Sequence, residues 1–310
     1  THGLPALENR LQKATSRMHC RLDLSTVKNK KVIIESEAFG GMGDHIQMIR
    51  YAQILKEHGA YVIYRLQWPA LKTLFSLCPF IDQFVEQGKP IYYDHRILLM
   101  SLPYACNTTI ETIPASIPYI YAQDRLIQQW KARLAQDANI KIGLCWYGKI
   151  LWKSPHKNRN IPLIDLAPLA SLKGVSFYSL QKKHGLEQIE SQLPFKLIAF
   201  DDLDEQEGTF NDTAALMKNL DLIITIDTGP AHLAGALGVP TWMMLAYAPD
   251  WRWLKHKHYS PWYPTMHLFR QHNPGDWASV INDIKQALIE LYPHISAERS
   301  TIFYDSFCTQ

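Results

Sequence analysis

Hydrophobic positions in the first part of the chain alternate between short apolar runs and a helical stripe. Residues 32–34 form an apolar run that ends at the glycine cluster 40–43. Apolar side chains then recur on one helical face across residues 46–55, and Gly59 follows before a second apolar run at 61–64. A strand, a glycine loop, a helix and a strand in this order indicate a βαβ unit in a parallel sheet.

The same alternation continues through the chain and restarts near residue 138. The pattern predicts further strands at 84–85, 97–100, 142–146, 175–180, 197–200, 222–226 and 241–245. It predicts helices at 71–77, 123–135, 163–172, 213–220, 231–237 and 277–291. Two doubly wound α/β sheets are therefore expected, and such sheets bind ligands at the carboxyl ends of their strands. If the sheets face each other, the ligand lies in the cleft between them.

This pattern divides the chain into four segments. Residues 1–30 are polar and amphipathic and are expected to form a leading helix or linker. The first α/β domain is predicted over 31–137 and the second over 138–275. A C-terminal helix with a tail fills 276–310, and this helix can return to pack on the first domain.

Composition excludes several classes of function. The net charge of +3 in 310 residues comes without a dense basic block, so nucleic acid is not an expected partner. No apolar stretch reaches the roughly 18 residues of a membrane span, and no signal core is seen at the N-terminus. The five cysteines are widely spaced and contain no CxxC pair, so neither a zinc site nor a redox motif is predicted. We expect a reducing, cytoplasmic location, with export as an effector left open.

The strongest candidate site follows the predicted strand at 222–226. There Asp227, Thr228 and Gly229 lead into a helix with Pro230 near its first turn and His232 one turn further on. The unpaired N–H groups and the dipole of a helix start favour an anion, which makes this segment a candidate phosphate cradle without a metal. The structural alternative is a tight strand-to-helix turn that Asp227 caps and in which His232 is a buried polar residue.

A second candidate is the glycine loop before the first helix. Gly41 and Gly43 allow the backbone to approach a ligand closely, and Asp44 begins the helix at the mouth of the cleft. A carboxylate there can take a proton from an attacking hydroxyl, or it can simply cap the helix. The loop is not a GxGxxG motif and has no acidic partner at the expected spacing, so a dinucleotide site is not favoured.

Basic residues follow the first strand of the second domain. Trp146 ends this strand, and four cations occur within the next loop at Lys149, Lys153, Lys157 and Arg159. A cationic loop at a strand end suits a diphosphate, although solvated basic loops are also common.

Two further segments carry weaker signals. Gln181 and Lys182 end the strand at 175–180, where the amide could recognise a base or a ribose, or form a surface turn. The aromatic stretches 248–253 and 260–264 could stack on a sugar or base, but filling a gap between the domains is the favoured interpretation.

Taken together, these motifs resemble the family 9 glycosyltransferases, the clan of the bacterial heptosyltransferases. The resemblance is closer still to the glycosyltransferase segment that follows tetratricopeptide repeats in many bacterial proteins. The matching stretches run in order from about residue 31 to 291 and include GGMGDHIQMIRYAQIL, IGLCWYG, NRNIPL, YSLQK, DTAALMKNLDLIITIDTGPAHLAGALGVPTW, APDWRWL, SPWYP and LFRQ. No tetratricopeptide repeat is recognised in this sequence, although residues 1–30 could end such an array.

This resemblance implies a GT-B fold, in which two Rossmann-like domains face a central cleft. The donor, a nucleotide diphosphate sugar, would bind the second domain as a co-substrate, and the acceptor would bind the first. Asp44 matches the general base of the family, and its phosphate-binding segment matches Asp227, Thr228, Gly229 and His232. One cation of the loop 149–159 would bind the diphosphate, but relatives space this loop differently, so Lys149, Lys157 and Arg159 all remain candidates.

The resemblance also implies transfer with inversion at the anomeric carbon and without a divalent metal or other cofactor. Acceptors consistent with it are a glycan, a lipid-linked saccharide or a protein side chain. Two alternatives stay open: a binding module that has lost activity, and a sugar-nucleotide epimerase, which shares this architecture. The epimerase would need further acid and base residues in the cleft, and no candidates are seen for them.

Overall fold

The computed structural model describes residues 22–37, 40–149, 157–189 and 196–297. Its first sheet consists of the strands β1 (Lys31–Glu35), β2 (Tyr61–Leu66), β3 (Gln83–Glu86) and β4 (His95–Leu98). They pair in parallel in the order β3-β2-β1-β4. The middle of β1 is fully buried, as expected for a parallel sheet covered on both faces.

A second parallel sheet has the order β11-β10-β9-β5-β7-β8. Its strands are β5 (Ile140–Cys145), β7 (Val175–Ser179), β8 (Leu197–Ile198), β9 (Leu222–Ile226), β10 (Thr241–Leu245) and β11 (Met266–Arg270). A short antiparallel pair joins β6 (Leu172–Lys173) to β12 (Ser296–Ala297). The sequence analysis did not predict β11, because the five residues Met266–Arg270 show only a weak alternation of apolar and polar positions.

The strand orders locate where ligands are expected. In each sheet the chain winds to one side and then crosses to the other, between β1 and β4 in the first and between β5 and β9 in the second. Crevices at the carboxyl ends of such strands are the usual binding places of doubly wound sheets. The loops after β1, β5 and β9 contain the glycine cluster, the basic loop and the phosphate-cradle candidate.

The α-helices of the described residues match most of the predicted ones. They are α1 (Met42–Met48), α2 (Tyr51–Glu57), α3 (Lys72–Phe75), α4 (Leu102–Ala105), α5 (Asp124–Leu134), α6 (Asn211–Met217), α7 (Gly229–Leu237) and α8 (Trp277–Leu291). The single helix predicted at 46–55 is instead interrupted at Ile49–Arg50. The helix predicted at 163–172 is a 3₁₀ helix, Leu163–Ser171, and it contains Pro168, which cannot donate a backbone hydrogen bond.

The C-terminal helix α8 packs on the second sheet. Its apolar face, which includes Val280, Ile284 and Leu288, lies in one buried cluster with β5 and β9 residues such as Ile142 and Ile224. This corrects the expectation that the helix returns to the first domain. The tail beyond residue 297 and residues 1–21 of the leading segment lie outside the described residues. The described part of the leading segment contains the 3₁₀ turn Leu24–Thr26.

The two sheets are joined through helices rather than separated by an open gap. Helix α1 of the first unit packs against α7 of the second, and one hydrophobic cluster contains residues of both units. Tyr119 strengthens this contact, because its backbone N–H donates to Ala236 O at the end of α7, 3.1 Å away. Cys78 and Cys145 are buried free thiols. No helix among the described residues has both the length and the apolar character needed to cross a bilayer.

Candidate functional site

The start of α7 forms the floor of the candidate site. Strand β9 is buried throughout and delivers Asp227 and Thr228 to its carboxyl end, where both residues are 8% exposed. Thr228 is the N-cap with an extended backbone, and Gly229 and Pro230 begin the helix. The cap is therefore Thr228 rather than Asp227. Pro230 has no N–H, and the N–H of Ala231 donates to Thr228 O at 3.1 Å, so the Gly229 N–H is the backbone donor that the helix start can offer to an anion.

His232 lies one turn into α7 and is buried among aromatic and charged side chains. Its Nδ1 is 2.8 Å from the Tyr263 hydroxyl, and its ring stacks on Trp253. Burial holds the pKa of His232 well below its ordinary value, and the nearby guanidinium of Arg252 lowers it further. His232 is therefore a neutral imidazole at neutral pH, with Nε2 3.9 Å from Asp227 Oδ1.

The glycine loop brings the start of α1 directly against the start of α7. A Cβ at Gly43 would come within 2.8 Å of His232 Cδ2 and 3.6 Å of Gly229 Cα. Only glycine allows this approach, which explains why the glycine cluster lies here rather than in an open turn. Two helix N-termini, one from each sheet, thus converge on the same place.

Asp44 lies in the first turn of α1, at this convergence. Its Oδ2 accepts the Gly41 N–H at 2.9 Å, which is the capping role that the sequence allowed. Its Oδ1 accepts a hydrogen bond from Arg252 Nη2 at 2.8 Å. The Asp44 side chain is 25% exposed and that of Arg252 is 10% exposed, so the pair lies at the edge of the buried contact between the two units.

Arg252 was not predicted as a site residue. It lies in the 3₁₀ turn Trp251–Trp253, within the aromatic stretch that sequence analysis assigned to gap filling. Its Nε is 3.4 Å from Asp250 Oδ1, and its charge also acts on Asp227 and His232. Nothing in the spacing connects position 252 with position 44, so only the packing of the two units reveals the pair.

Of the basic loop after β5, the structure brings Arg159 to the site. A Cβ on Gly148 would meet Thr228 Cγ2 at 2.9 Å and Arg159 Nη2 at 3.2 Å, so these groups surround one point. Lys149 is exposed. The side chain of Lys157 and all of residues 150–156, with Lys153, lie outside the part that the structure describes. Arg159 is therefore the described loop cation that faces the α7 start.

Trp146 and Gln181 support the loop rather than face the cleft. Trp146 is 0% exposed and packs in the core of the second sheet. Gln181 Oε1 accepts the N–H groups of Trp146 and Tyr147, and its Nε2 donates to Tyr147 O and His184 O. With both ends of its amide engaged, Gln181 orders the start of the basic loop.

Lys182 is directed toward the segment after β8. Its Nζ donates to Leu203 O and pairs with Glu205 at 2.5 Å. The Glu205 side chain is 61% exposed, so this is a largely solvated ion pair.

A cavity of about 180 Å³ adjoins the α7 start on the β10 and β11 side. Its lining includes the polar side chains of Arg159, Asp227, Tyr247, Asp250 and Gln271. Burial raises the pKa of the Asp227 carboxyl, against an opposing influence of the Arg252 guanidinium. In the described residues, no cluster of three or more His, Cys, Asp or Glu side chains could hold a metal ion.

Behind the glycine loop, His45 supports the position of α1. Its Nδ1 is 2.5 Å from the Tyr64 hydroxyl and its Nε2 is 3.0 Å from Ser36 Oγ. Burial lowers the pKa of His45 to about 4, against a smaller opposing influence of Asp44. His45, like His232, is therefore buried in its neutral form.

This burial predicts a loss of stability in mild acid. The unfolded chain takes up a proton on each histidine near pH 6.5, whereas the native protein does not take it up until the lower native pKa. The native state is therefore fully favoured above pH 6.5 and loses stability as the pH falls. Between pH 7.5 and 5.0 the expected loss linked to His45 is about 2 kcal/mol, and His232 adds a loss in the same direction. Urea unfolding at both pH values measures the total, and His45→Asn should remove the part linked to His45; an unchanged pH dependence in that variant would contradict the assignment.

One part of the chain matches the sequence model of a known family. Residues 207–274 match the sequence model described as glycosyltransferase family 9 (heptosyltransferase). The similarity to family 9 glycosyltransferases is thus found in this part of the chain. This part contains β9, the start of α7, Arg252 and Tyr263, whereas Asp44 and Arg159 lie outside it. The match supports the interpretation of the chain as a glycosyltransferase.

Known proteins resemble a larger part of the chain. Protein FlbA of Caulobacter vibrioides is 28% identical over 220 residues, which are 69% of this chain and 35% of FlbA. The chain thus spans about a third of the length of this curated relative.

Two solved structures show the fold. A family 9 glycosyl transferase of Veillonella parvula has a TM-score of 0.61 at 14% identity, covering 86% of this chain and 97% of the other. The ADP-heptose LPS heptosyltransferase II of E. coli has a TM-score of 0.53 at 13% identity, covering 84% and 96%. These likenesses confirm the predicted α/β fold of the GT-B type.

Proposed function

We propose that this protein transfers a sugar from a nucleotide diphosphate sugar to an acceptor hydroxyl. The observation that carries the proposal is the convergence of two helix starts, one with Asp44 and the other with the sequence Asp227-Thr228-Gly229. One side offers a carboxylate, and the other offers the Gly229 N–H and the positive end of a helix dipole to an anion. A glycosyl transfer needs the carboxylate where the acceptor hydroxyl loses its proton and the anion site where the diphosphate leaves.

The donor diphosphate would bind at the start of α7. Gly229 begins the helix, where its N–H and the helix dipole favour negative charge. The guanidinium of Arg159 lies beside Thr228, and a planar guanidinium suits bidentate contact with phosphate. Stabilising the charge that develops on the leaving diphosphate is often the largest contribution to catalysis.

Asp44 would act as the general base. Its carboxylate takes the proton of the acceptor hydroxyl, whose oxygen attacks the anomeric carbon from the face opposite the diphosphate. The bond from the anomeric carbon to the diphosphate oxygen breaks, and the nucleoside diphosphate leaves with the electron pair. Attack from the opposite face inverts the anomeric configuration. Arg159 and the α7 start supply positive charge to the leaving group, so this scheme assigns no step to a metal ion.

The comparisons support this class of donor. The matched family is described as heptosyltransferase, and the E. coli enzyme with this fold is named for ADP-heptose. A donor of the nucleotide diphosphate sugar type is therefore the proposed partner of this chain, with a glycan, a lipid-linked saccharide or a protein side chain as acceptor. The association with tetratricopeptide repeats stays a prediction.

Thermal unfolding with a panel of ADP, GDP, UDP and their sugars tests donor binding. A ligand at 100 times its Kd stabilises the native state by about 2.7 kcal/mol, which should raise Tm by about 5 °C in a protein of this size. His232→Ala should abolish the shift, because it removes the imidazole packed at the α7 start. His58→Ala, an exposed histidine at the end of α2, should retain it. No shift with any ligand, or equal shifts in both variants, would contradict the proposed donor site.

Product analysis separates transfer from the alternatives. Incubation with the stabilising nucleotide sugar and candidate acceptors should give a new glycoside and free nucleoside diphosphate, detected by mass spectrometry. An epimer of the donor sugar as the sole product would indicate the epimerase. Binding without either product, across all three acceptor classes, would favour a module that has lost activity.

A further inference from the structure

Arg252 occupies an unusual position, because one guanidinium connects the two units at the proposed catalytic centre. Nη2 donates to Asp44 Oδ1 at 2.8 Å across the contact between the units. Nε faces Asp250 Oδ1 at 3.4 Å, and the Asp250 carboxylate also caps the turn by accepting the Arg252 N–H at 3.1 Å. The turn thus holds the guanidinium beside the α7 start, within electrostatic reach of Asp227 and His232.

The pair with Arg252 occupies the Asp44 carboxylate. In the arrangement described, Asp44 accepts hydrogen bonds through both oxygens, from Gly41 N–H and from Arg252. An acceptor hydroxyl must reach one of these oxygens to give up its proton, and Arg252 lies against the oxygen that Gly41 does not use. Asp44 therefore becomes available as a base only when Arg252 binds another anion in its place.

The donor diphosphate is such an anion. Arginine binds phosphate and carboxylate with the same planar fork, and a diphosphate offers more charge than a single carboxylate. A diphosphate at the start of α7 would lie next to Arg252 as well as next to Arg159. Resting on the function proposed above, we propose that Arg252 is a diphosphate-binding residue that exchanges Asp44 for the donor, so that donor binding releases the base.

Such an exchange would make donor binding precede activation of the acceptor. Before the donor binds, the Arg252–Asp44 pair keeps the base inactive and closes the contact between the units. After it binds, the guanidinium neutralises the leaving group, and Asp44 is free to face the acceptor. The acceptor hydroxyl would thus be activated only in the presence of the donor.

The exchange predicts that Asp44 and the diphosphate compete for Arg252. Asp44→Asn should therefore tighten binding of a nucleoside diphosphate by roughly tenfold, because the freed guanidinium adds one charge-assisted hydrogen bond to the ligand. Arg252→Met should weaken binding by roughly tenfold, because it removes that hydrogen bond. In the double variant, the tightening caused by Asp44→Asn should vanish, because the released guanidinium is absent.

Calorimetric titration of ADP, GDP and UDP into the wild type, the two single variants and the double variant measures this cycle. Arg252→Lys is a second test of the cation. It keeps the positive charge but lacks the planar guanidinium, so this variant should bind the nucleotide more weakly than the wild type does. The exposed Arg125–Glu207 pair, with its 2.8 Å contact, supplies the matched control. Arg125→Met, Glu207→Gln and their combination should leave Kd unchanged.

The outcomes separate this inference from the function on which it rests. A tightening by Asp44→Asn that persists in the Arg252→Met background would show simple removal of repulsion and would overturn the exchange. Wild-type Kd values in both Arg252 variants would overturn it as well, while diphosphate binding itself and the proposed function would stand. Failure of the wild type to bind any of the three nucleotides would overturn the proposed function together with the exchange.

Discussion

Asp44→Asn is expected to lower kcat by about 10²–10⁴-fold, the usual contribution of a positioned general base. The asparagine oxygen can still accept the Gly41 N–H, so the start of α1 and the folded state should be preserved. Nucleoside diphosphate binding should survive, because the diphosphate-binding groups belong to α7 and its neighbours. Steady-state kinetics with the donor identified by thermal shift and a productive acceptor measures the effect.

A matched control for this variant is Asp23→Asn. Asp23 also caps a helical turn, through a 2.9 Å hydrogen bond from Ser25 N–H, but it lies before β1, at the opposite end of the sheet from the cleft. Its kcat should equal that of the wild type. If Asp44→Asn retains kcat within about threefold, the base is another group, and proton transfer to Asp44 is not part of the mechanism.

Arg50→Met is expected to destabilise the protein more than any surface substitution. The Arg50 side chain lies between the two units and is 2% exposed as a residue. Among the described residues it donates to three backbone carbonyls and one hydroxyl. These acceptors are Gln47 O, Pro114 O, Trp262 O and Tyr119 Oη. Its guanidinium also lies over the rings of Tyr119 and Tyr263, with centroids 4.4 and 4.7 Å away.

Methionine fills part of this volume but leaves the acceptors without donors. Each buried unpaired acceptor costs roughly 1–3 kcal/mol, so the free energy of unfolding should fall by at least about 3 kcal/mol. Because Trp262 belongs to the second unit, the denaturant transition should also broaden as the units separate. Arg133→Met is the contrast, since its pair with Asp202 is solvent-exposed and worth at most about 1 kcal/mol. A loss below about 1 kcal/mol in Arg50→Met would contradict the proposed role of Arg50 in joining the units.

Sequence periodicity predicted the parts of the fold that local patterns determine. The buried runs of β1, β5 and β9 and the glycine and proline signals around α7 specify both sheets and the start of α7. Strand β11 was missed because its alternation is weak and its pairing with β10 is a tertiary event. Residues 163–171 form a 3₁₀ helix rather than the predicted α-helix because Pro168 cannot donate a backbone hydrogen bond, and the apolar pattern alone does not indicate this.

The site was only partly predictable for a related reason. Asp44, Thr228 and Gly229 follow strands or begin helices, so their place at the cleft can be inferred from the chain. Arg252 and Arg50 acquire their roles from contacts across the two units, between positions about 208 and 212 residues apart. No local spacing encodes such contacts. Gln181 is the opposite case. It lies at a strand end, as the pattern predicted, but its amide hydrogen-bonds to the adjacent loop instead of facing the cleft.

A crystal structure with the most stabilising nucleoside diphosphate bound tests the central claim most directly. We predict the diphosphate at the start of α7, with phosphate oxygens within hydrogen-bonding distance of the Gly229 N–H and the Arg159 guanidinium. Asp44 should lie across the cleft, on the side where an acceptor can approach. A diphosphate bound away from this helix start, with Thr228 and Gly229 making no contact to it, would contradict the proposed active site.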